Sequence, residues 1–239
     1  MKVIKTPKKK KKKLVLHKLN WLEYIAIGLS LWFLFYPKPY NVLLIILLLM
    51  PFIGMFLNGI EKPSIASLVE IDREAKNEYD VADFIDIPAA VILLRVLLDF
   101  ETDSFLAIVI AGTVAFVAIC LFLLLTHQQI KDSNKDKWWI YSSIIFSFCM
   151  YSYSSVVAVN CVFDNSEPQI FKTEIIDKHI SRSSKGRKTY YVKVKPWGHH
   201  YDAENISVPQ WDYEHLEINQ KVNIDYFDGL LGIPWYYIE

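Results

Sequence analysis

Catalytic signatures are missing from this sequence. It contains no Gly-x-Ser-x-Gly elbow, no His-Glu-x-x-His helix and no glycine-rich phosphate loop, so nucleophilic, zinc-hydrolytic and nucleotide chemistry have no local motif to rest on. Cysteine is scarce as well. Cys120, Cys149 and Cys161 show no metal-ligand spacing, and the last two, twelve positions apart, are separated by about 18 Å of helix, too far for a disulfide. They are expected to pack as free thiols. No internal repeat is present, and the lysine run near the N-terminus is the only low-complexity stretch. No small-residue cleavage site follows the first apolar stretch, which speaks against a cleaved signal peptide.

Acid is absent from the N-terminus. Residues 1–18 hold nine lysines and no Asp or Glu, so the formal net charge of zero hides a basic tail and a body with 17 basic against 26 acidic residues. The tail lies directly before the first apolar run, which starts near Trp21. The positive-inside rule accounts for it by holding the N-terminus in the cytoplasm against anionic lipid, and a nucleic-acid role is not needed.

What the chain has in quantity is apolar sequence in discrete runs. Of its 239 residues 53% are hydrophobic and 15% aromatic, with a mean hydropathy of +0.21. Four runs are long enough to read as membrane spans: 21–36, 40–57, 105–126 and 138–159. Pro37-Lys38-Pro39 separates the first two so tightly that they form a helical hairpin. The third carries Ala107, Ala111 and Ala115 at intervals of four, a strip suited to close helix approach. Ser143, Ser147, Tyr151, Ser154, Ser155 and Asn160 give the fourth a polar side that should face protein.

Residues 58–103 hold eleven acids against four basic residues and read as an interfacial segment. Ser67 and Glu70 have capping-box spacing, followed by Ile71, Ala75 and Tyr79 at helical intervals, which predicts a short amphipathic helix on the membrane surface. The apolar run Ile87–Leu98 would reach only about 18 Å as a helix, short of a hydrocarbon core of about 30 Å. It reads as a short buried or re-entrant helix turned back through Phe100 to Ser104.

After Pro168 the periodicity changes to two. Phe171, Thr173 and Ile175 alternate, as do Tyr190 to Lys195, across a basic loop 181–188; further strands are expected at 206–208, 222–227 and 233–238, the last two joined by Asp228-Gly229-Leu230-Leu231-Gly232. Twelve aromatics are available to fill a core. The expected fold is a membrane α-helical bundle of about four transmembrane helices plus one short membrane-embedded helix, with a C-terminal small all-β domain, barrel or sandwich-like. The corresponding segments are a basic tail 1–20, a helical domain 21–160 and a β-rich domain 168–239. A run Gln220-Lys221-Val222-Asn223-Ile224-Asp225-Tyr226, a glycine turn and Ile233-Pro234-Trp235-Tyr236, joined to a short bundle, resembles uncharacterised bacterial multi-span membrane proteins that carry a compact β-domain. In those the β-domain usually lies between two spans, whereas here it is C-terminal. The resemblance implies a multi-pass protein of the bacterial cytoplasmic membrane and no particular activity.

Two sets of residues invite chemistry. Arg95, with Asp99 at i+4 and Asp86 earlier in the same segment, forms an intramembrane polar set, since a charge at membrane depth costs about 2.5–3.5 kcal/mol and normally faces a partner or a wet cavity. Arg95 lies near the end of its run, so snorkelling explains it equally well. His199, His200 and Asp202 are the densest possible metal ligands, but adjacent histidines on a strand point to opposite faces and reach one ion only across a bend. A polar turn after Pro196-Trp197-Gly198 is the preferred reading. No cofactor or resident metal is expected.

The expected role is an accessory or interaction module whose partners are the lipid bilayer and, through the β-domain, another membrane or surface protein. A small transporter or channel component using Arg95 and the hydroxyl-rich fourth helix comes second, and a membrane enzyme third. Four spans would return the C-terminus to the cytoplasm but leave Lys131, Lys135 and Lys137 outside. A fifth span through Arg95 would remove that conflict and carry the β-domain across.

Overall fold

Long apolar stretches bounded by proline, Asn-Gly or charge leave the chain few options but helices, and period-two stretches few but strands. The computed structural model describes residues 24–61, 65–69, 82–127, 137–182, 186 and 188–239. The lysine tail, most of the expected amphipathic helix after Ser67 and residues 183–185 and 187 of the expected basic loop 181–188 lie outside these residues; Ile65–Leu68 forms a turn of 3-10 helix. The described chain divides into two units, a helical one covering residues up to Val96 and 109–158, and a β-rich one formed by 97–108 and 159–239.

The helical unit comprises α1 (Tyr24–Phe35), α2 (Tyr40–Glu61), α3 (Asp83–Asp99), α4 (Phe105–Thr126) and α5 (Lys137–Val162). Three of them, α2, α4 and α5, are long and apolar enough to cross a membrane. Helix α1 is shorter, with twelve helical residues described. Phe33, Leu44, Leu47, Ile92, Ile140 and Phe148 are fully buried. At Gly112 of α4 a Cβ would stand 2.5 Å from the Tyr153 ring of α5, so the two helices approach closely there. The alanines at 107, 111 and 115 are only half-buried, so one glycine rather than the alanine strip makes this contact. The hydroxyl-bearing side of α5 faces protein: Ser147, Ser152 and Ser154 are buried, and the Tyr151 hydroxyl donates to the Leu48 carbonyl of α2.

Helix α3 corrects the expected short helix at 87–98. It has 17 residues, from Asp83 to Asp99, and so rises roughly 25 Å. Asp83 and Asp86 occupy its first turn, where negative charge suits the positive end of the helix dipole. Pro88 lies inside the helix and is buried; a proline there loses one backbone hydrogen bond but does not end the element.

The β-rich unit is a six-stranded, wholly antiparallel sheet in the order β1-β6-β5-β2-β3-β4, with β1 at Glu101–Thr102, β2 at Gln169–Arg182, β3 at Lys188–Val194, β4 at Glu204–Val208, β5 at Lys221–Phe227 and β6 at Trp235–Ile238. Strand β2 serves two partners: Gln169–Glu174 pair with β5 and Ile175–Arg182 with β3, with a register shift between Ile175 and Asp177. A bulge of that kind bends a strand and curls its sheet. The curl is nearly complete, because the Tyr236 hydroxyl of β6 donates to Glu204 of β4 at 2.9 Å and the Ser207 backbone of β4 hydrogen-bonds the Glu101 side chain of β1. The result is a barrel-like sheet with Ile175, Val192, Val194, Ile206, Ile224 and Tyr236 inside. A short helix, α6 (Gln210–His215), links β4 to β5.

Strand β1 comes from the stretch read as a turn between helices. Glu101 and Thr102 pair with Tyr236 and Trp235, so the barrel-like sheet takes one edge from sequence that precedes α4.

Candidate functional site

The polar cluster of the β-rich unit is built by a tight turn and a borrowed strand. Trp197 and His200 exchange backbone hydrogen bonds, N to O at 3.1 and 2.8 Å, which leaves Gly198 and His199 at the corner. Gly198 has φ +52°, a conformation that glycine adopts without the steric cost other residues meet. This turn supplies the bend that two adjacent histidines need to approach one point. Asp103, one residue beyond β1, provides the point.

His199 Nε2 lies 2.6 Å from Asp103 Oδ2 and His200 Nε2 lies 3.3 Å from Asp103 Oδ1. On its other side His200 Nδ1 stands 3.1 Å from Glu204 Oε2. His200 is thus placed between two carboxylates, yet its Nε2 and the Glu204 Oε2 are buried and make no hydrogen bond, because the contact directions are poor. Each carboxylate is fixed from behind by a phenol: the Tyr226 hydroxyl donates to Asp103 Oδ2 at 3.0 Å, and the Tyr236 hydroxyl donates to Glu204 Oε1. The His200 ring stacks on Trp197 with centroids 4.1 Å apart and planes 18° from parallel. His199 is half-exposed, with about half of its side chain in solvent.

The local field is negative. Burial pushes the Glu101 carboxyl above its usual range, partly opposed by the Ser207 backbone hydrogen bond and reinforced by the charge of Glu204. Burial, then the hydrogen bond to Glu204 and the charges of Glu204, Glu101 and Asp103, push the Tyr236 phenol up strongly. Burial and Asp103 do the same to Tyr226. Asp103 and Glu204 beside the two imidazoles favour a cation.

Among the described residues, Asp103, His199 and His200 form the group of three potential ligands whose donor atoms all lie within 4.8 Å of one another. Of the expected trio His199, His200 and Asp202, the structure therefore unites the two histidines, and the nearby carboxylates are Asp103 and Glu204. Asp202 is exposed. No local pattern pointed to Asp103, which lies 96 residues from His199.

The other expected set is more dispersed. Arg95 is half-buried, with its guanidinium carbon 5.8 Å from the centre of the Tyr40 ring. Asp86 is nine residues earlier on α3, roughly 13 Å along the helix axis. Asp99, half-buried, closes the helix.

A helical bundle continued by a barrel-like sheet, with a histidine–carboxylate cluster on the sheet, is the class these observations define. In comparisons with family models, curated proteins and solved structures the chain finds no match.

Proposed function

We propose that the chain is a multi-pass membrane protein with its N-terminus in the cytoplasm, and that its barrel-like domain acts on the far side of the membrane as an accessory or interaction module. The observation that carries this reading is the surface of α4. That helix has no charged residue and buries only Gly112, Ile119 and Leu123, while Leu106, Ile110, Val114, Leu121 and Leu124 are all exposed. A side-chain set of this kind is unfavourable in water along the length of the helix, and lipid is its natural solvent.

Charge and connectivity support the sidedness. The chain enters the β-rich unit after α3 and again after α5, and leaves it into α4. The connection between α4 and α5 therefore belongs to the opposite face. It contains Lys131 and Lys135, with Lys137 opening α5, so the positive-inside rule assigns it to the cytoplasm together with the nine lysines of the tail. This requires an odd number of crossings. The lysines, rather than the length of α3, argue for five crossings over four: α3 has 17 residues with Asp83, Asp86, Arg95 and Asp99 among them, and is not one of the three helices long and apolar enough to cross.

A reporter active only outside the cytoplasm, fused after Glu239, tests the arrangement. Activity of that reporter is the expected result; activity of a cytoplasmic reporter at the same position overturns it. The position of Arg95 against Tyr40 keeps a transport reading in view. Solute and ion flux in proteoliposomes, compared between the wild type and Arg95→Leu, decides that point, because flux indifferent to the substitution leaves the path without its charge.

A further inference from the structure

We propose that Asp103, His199 and His200 bind one divalent transition-metal ion of the zinc class, with Glu204 orienting His200. The donor set is two imidazole nitrogens and one carboxylate oxygen. That combination suits zinc and its first-row neighbours, whereas magnesium and calcium prefer oxygen alone.

The distances match what such an ion asks for. Donors bound tetrahedrally at about 2.0–2.2 Å stand roughly 3.3–3.5 Å from one another, and His200 Nε2 already lies 3.3 Å from Asp103 Oδ1. His199 Nε2 contacts the other carboxylate oxygen, Oδ2, at 2.6 Å, so its ring must shift as the ion takes the place of the proton between them; one donor atom from each of the three residues can be chosen with all of them within 4.8 Å of one another. His199 sits at the exposed corner of the Gly198 turn, so this movement meets little resistance and gives the ion a way in.

The surroundings have the form of an outer coordination shell. Metal-binding histidines usually present their second ring nitrogen to a carboxylate, which fixes the tautomer and the ring plane. Glu204 Oε2 stands 3.1 Å from His200 Nδ1 without yet hydrogen-bonding it, and a small turn of the His200 ring onto the ion would bring it into that role. Tyr236 and Tyr226 hold the two carboxylates in turn, and the Trp197 face limits rotation of the His200 ring. His200 Nε2 is buried and, although 3.3 Å from Asp103 Oδ1, makes no hydrogen bond to it; buried polar atoms in native proteins are nearly always satisfied, and an ion between the two atoms would satisfy both. Three protein donors leave one tetrahedral position for water or a further ligand.

The test uses the full-length protein in detergent, made without a polyhistidine tag and stripped with chelator. Zinc binding is measured by calorimetry, and cobalt serves as a visible-absorption probe. Expected are one equivalent of zinc, a cobalt spectrum of low-coordinate geometry that zinc abolishes, and no comparable binding of magnesium or calcium. His199→Ala, at a half-exposed position, and the isosteric Asp103→Asn should each weaken zinc binding by roughly 10- to 100-fold or more. His179→Ala, an exposed histidine on β2, should leave it unchanged, and near-ultraviolet circular dichroism establishes that all three variants are folded. Absence of zinc binding at millimolar concentration, equal binding of calcium, or zinc affinity that is the same in folded His199→Ala and the wild type each overturns the proposal and leaves the cluster as a set of internal ion pairs.

Discussion

Asn160 grips Ile233 by both backbone groups. Its Nδ2 donates to the Ile233 carbonyl at 2.7 Å, while Oδ1 accepts the Ile233 N–H at 3.4 Å and the Leu231 N–H at 2.9 Å. The Asn160 carbonyl also accepts the Leu230 N–H. One fully buried side chain near the C-terminal end of α5 thereby shapes the whole connection from β5 to β6.

Asn160→Ala removes three of these bonds at once and strands buried backbone groups of the connection. The expected cost is about 2–4 kcal/mol in the stability of the β-rich unit. Thermal unfolding of the detergent-solubilised chain, followed by tryptophan fluorescence through Trp197 and Trp235, reads it directly; an unchanged midpoint would show that water replaces the amide without loss.

Gly229 lies in the same connection and is held at φ +79°. A Cβ there would fall 2.3 Å from the Ile233 carbonyl oxygen and 2.6 Å from the Asn160 amide. Gly186 has the same φ with open space around it. Gly229→Ala is therefore expected to destabilise by on the order of 3 kcal/mol and Gly186→Ala by about 1 kcal/mol. The same unfolding measurement checks the ranking, and the difference between the two isolates crowding from backbone strain.

Asp164 links the unit to pH. Burial alone would raise its carboxyl, but hydrogen bonds from the Ser166 backbone, Trp235 Nε1 and the Gly229 backbone outweigh that and hold it below the usual carboxylate range. A carboxyl depressed on folding stabilises the protein above its unfolded pKa, and that contribution disappears as pH falls through the folded value. Melting midpoints taken from about pH 5 down to about pH 2 should fall more steeply in the wild type than in Asp164→Asn, whose side-chain oxygen still accepts but does not titrate. Parallel slopes would remove Asp164 from the account.

The strands after Pro168 were legible in the sequence because each has a polar face and an apolar one, and alternation survives whatever the strand pairs with. The long helices were legible through length alone. Helix α3 was legible only in part: the run Ile87–Leu98 read as a helix, but its polar first turn and Pro88 mask four helical residues before Ile87, since proline and acid usually mark the edge of an element. Strand β1 was invisible for a stronger reason. Two residues carry no periodicity, and their partner Trp235-Tyr236 lies over 130 residues away. The histidine cluster was half visible. His199 and His200 stood out as a pair, but the turn at Gly198 that brings them together and the carboxylate they meet depend on tertiary structure.

The borrowed strand makes the β-rich unit discontinuous in the chain. Asp103 is synthesised before α4 and α5, and its histidine neighbours after them. No nascent fragment ending before His199 can possess the cluster, and no excised C-terminal piece can either. Completion of the centre is in this way tied to completion of the two helices, α4 and α5, that separate its parts, so occupancy of the cluster would report that biogenesis has run to its end.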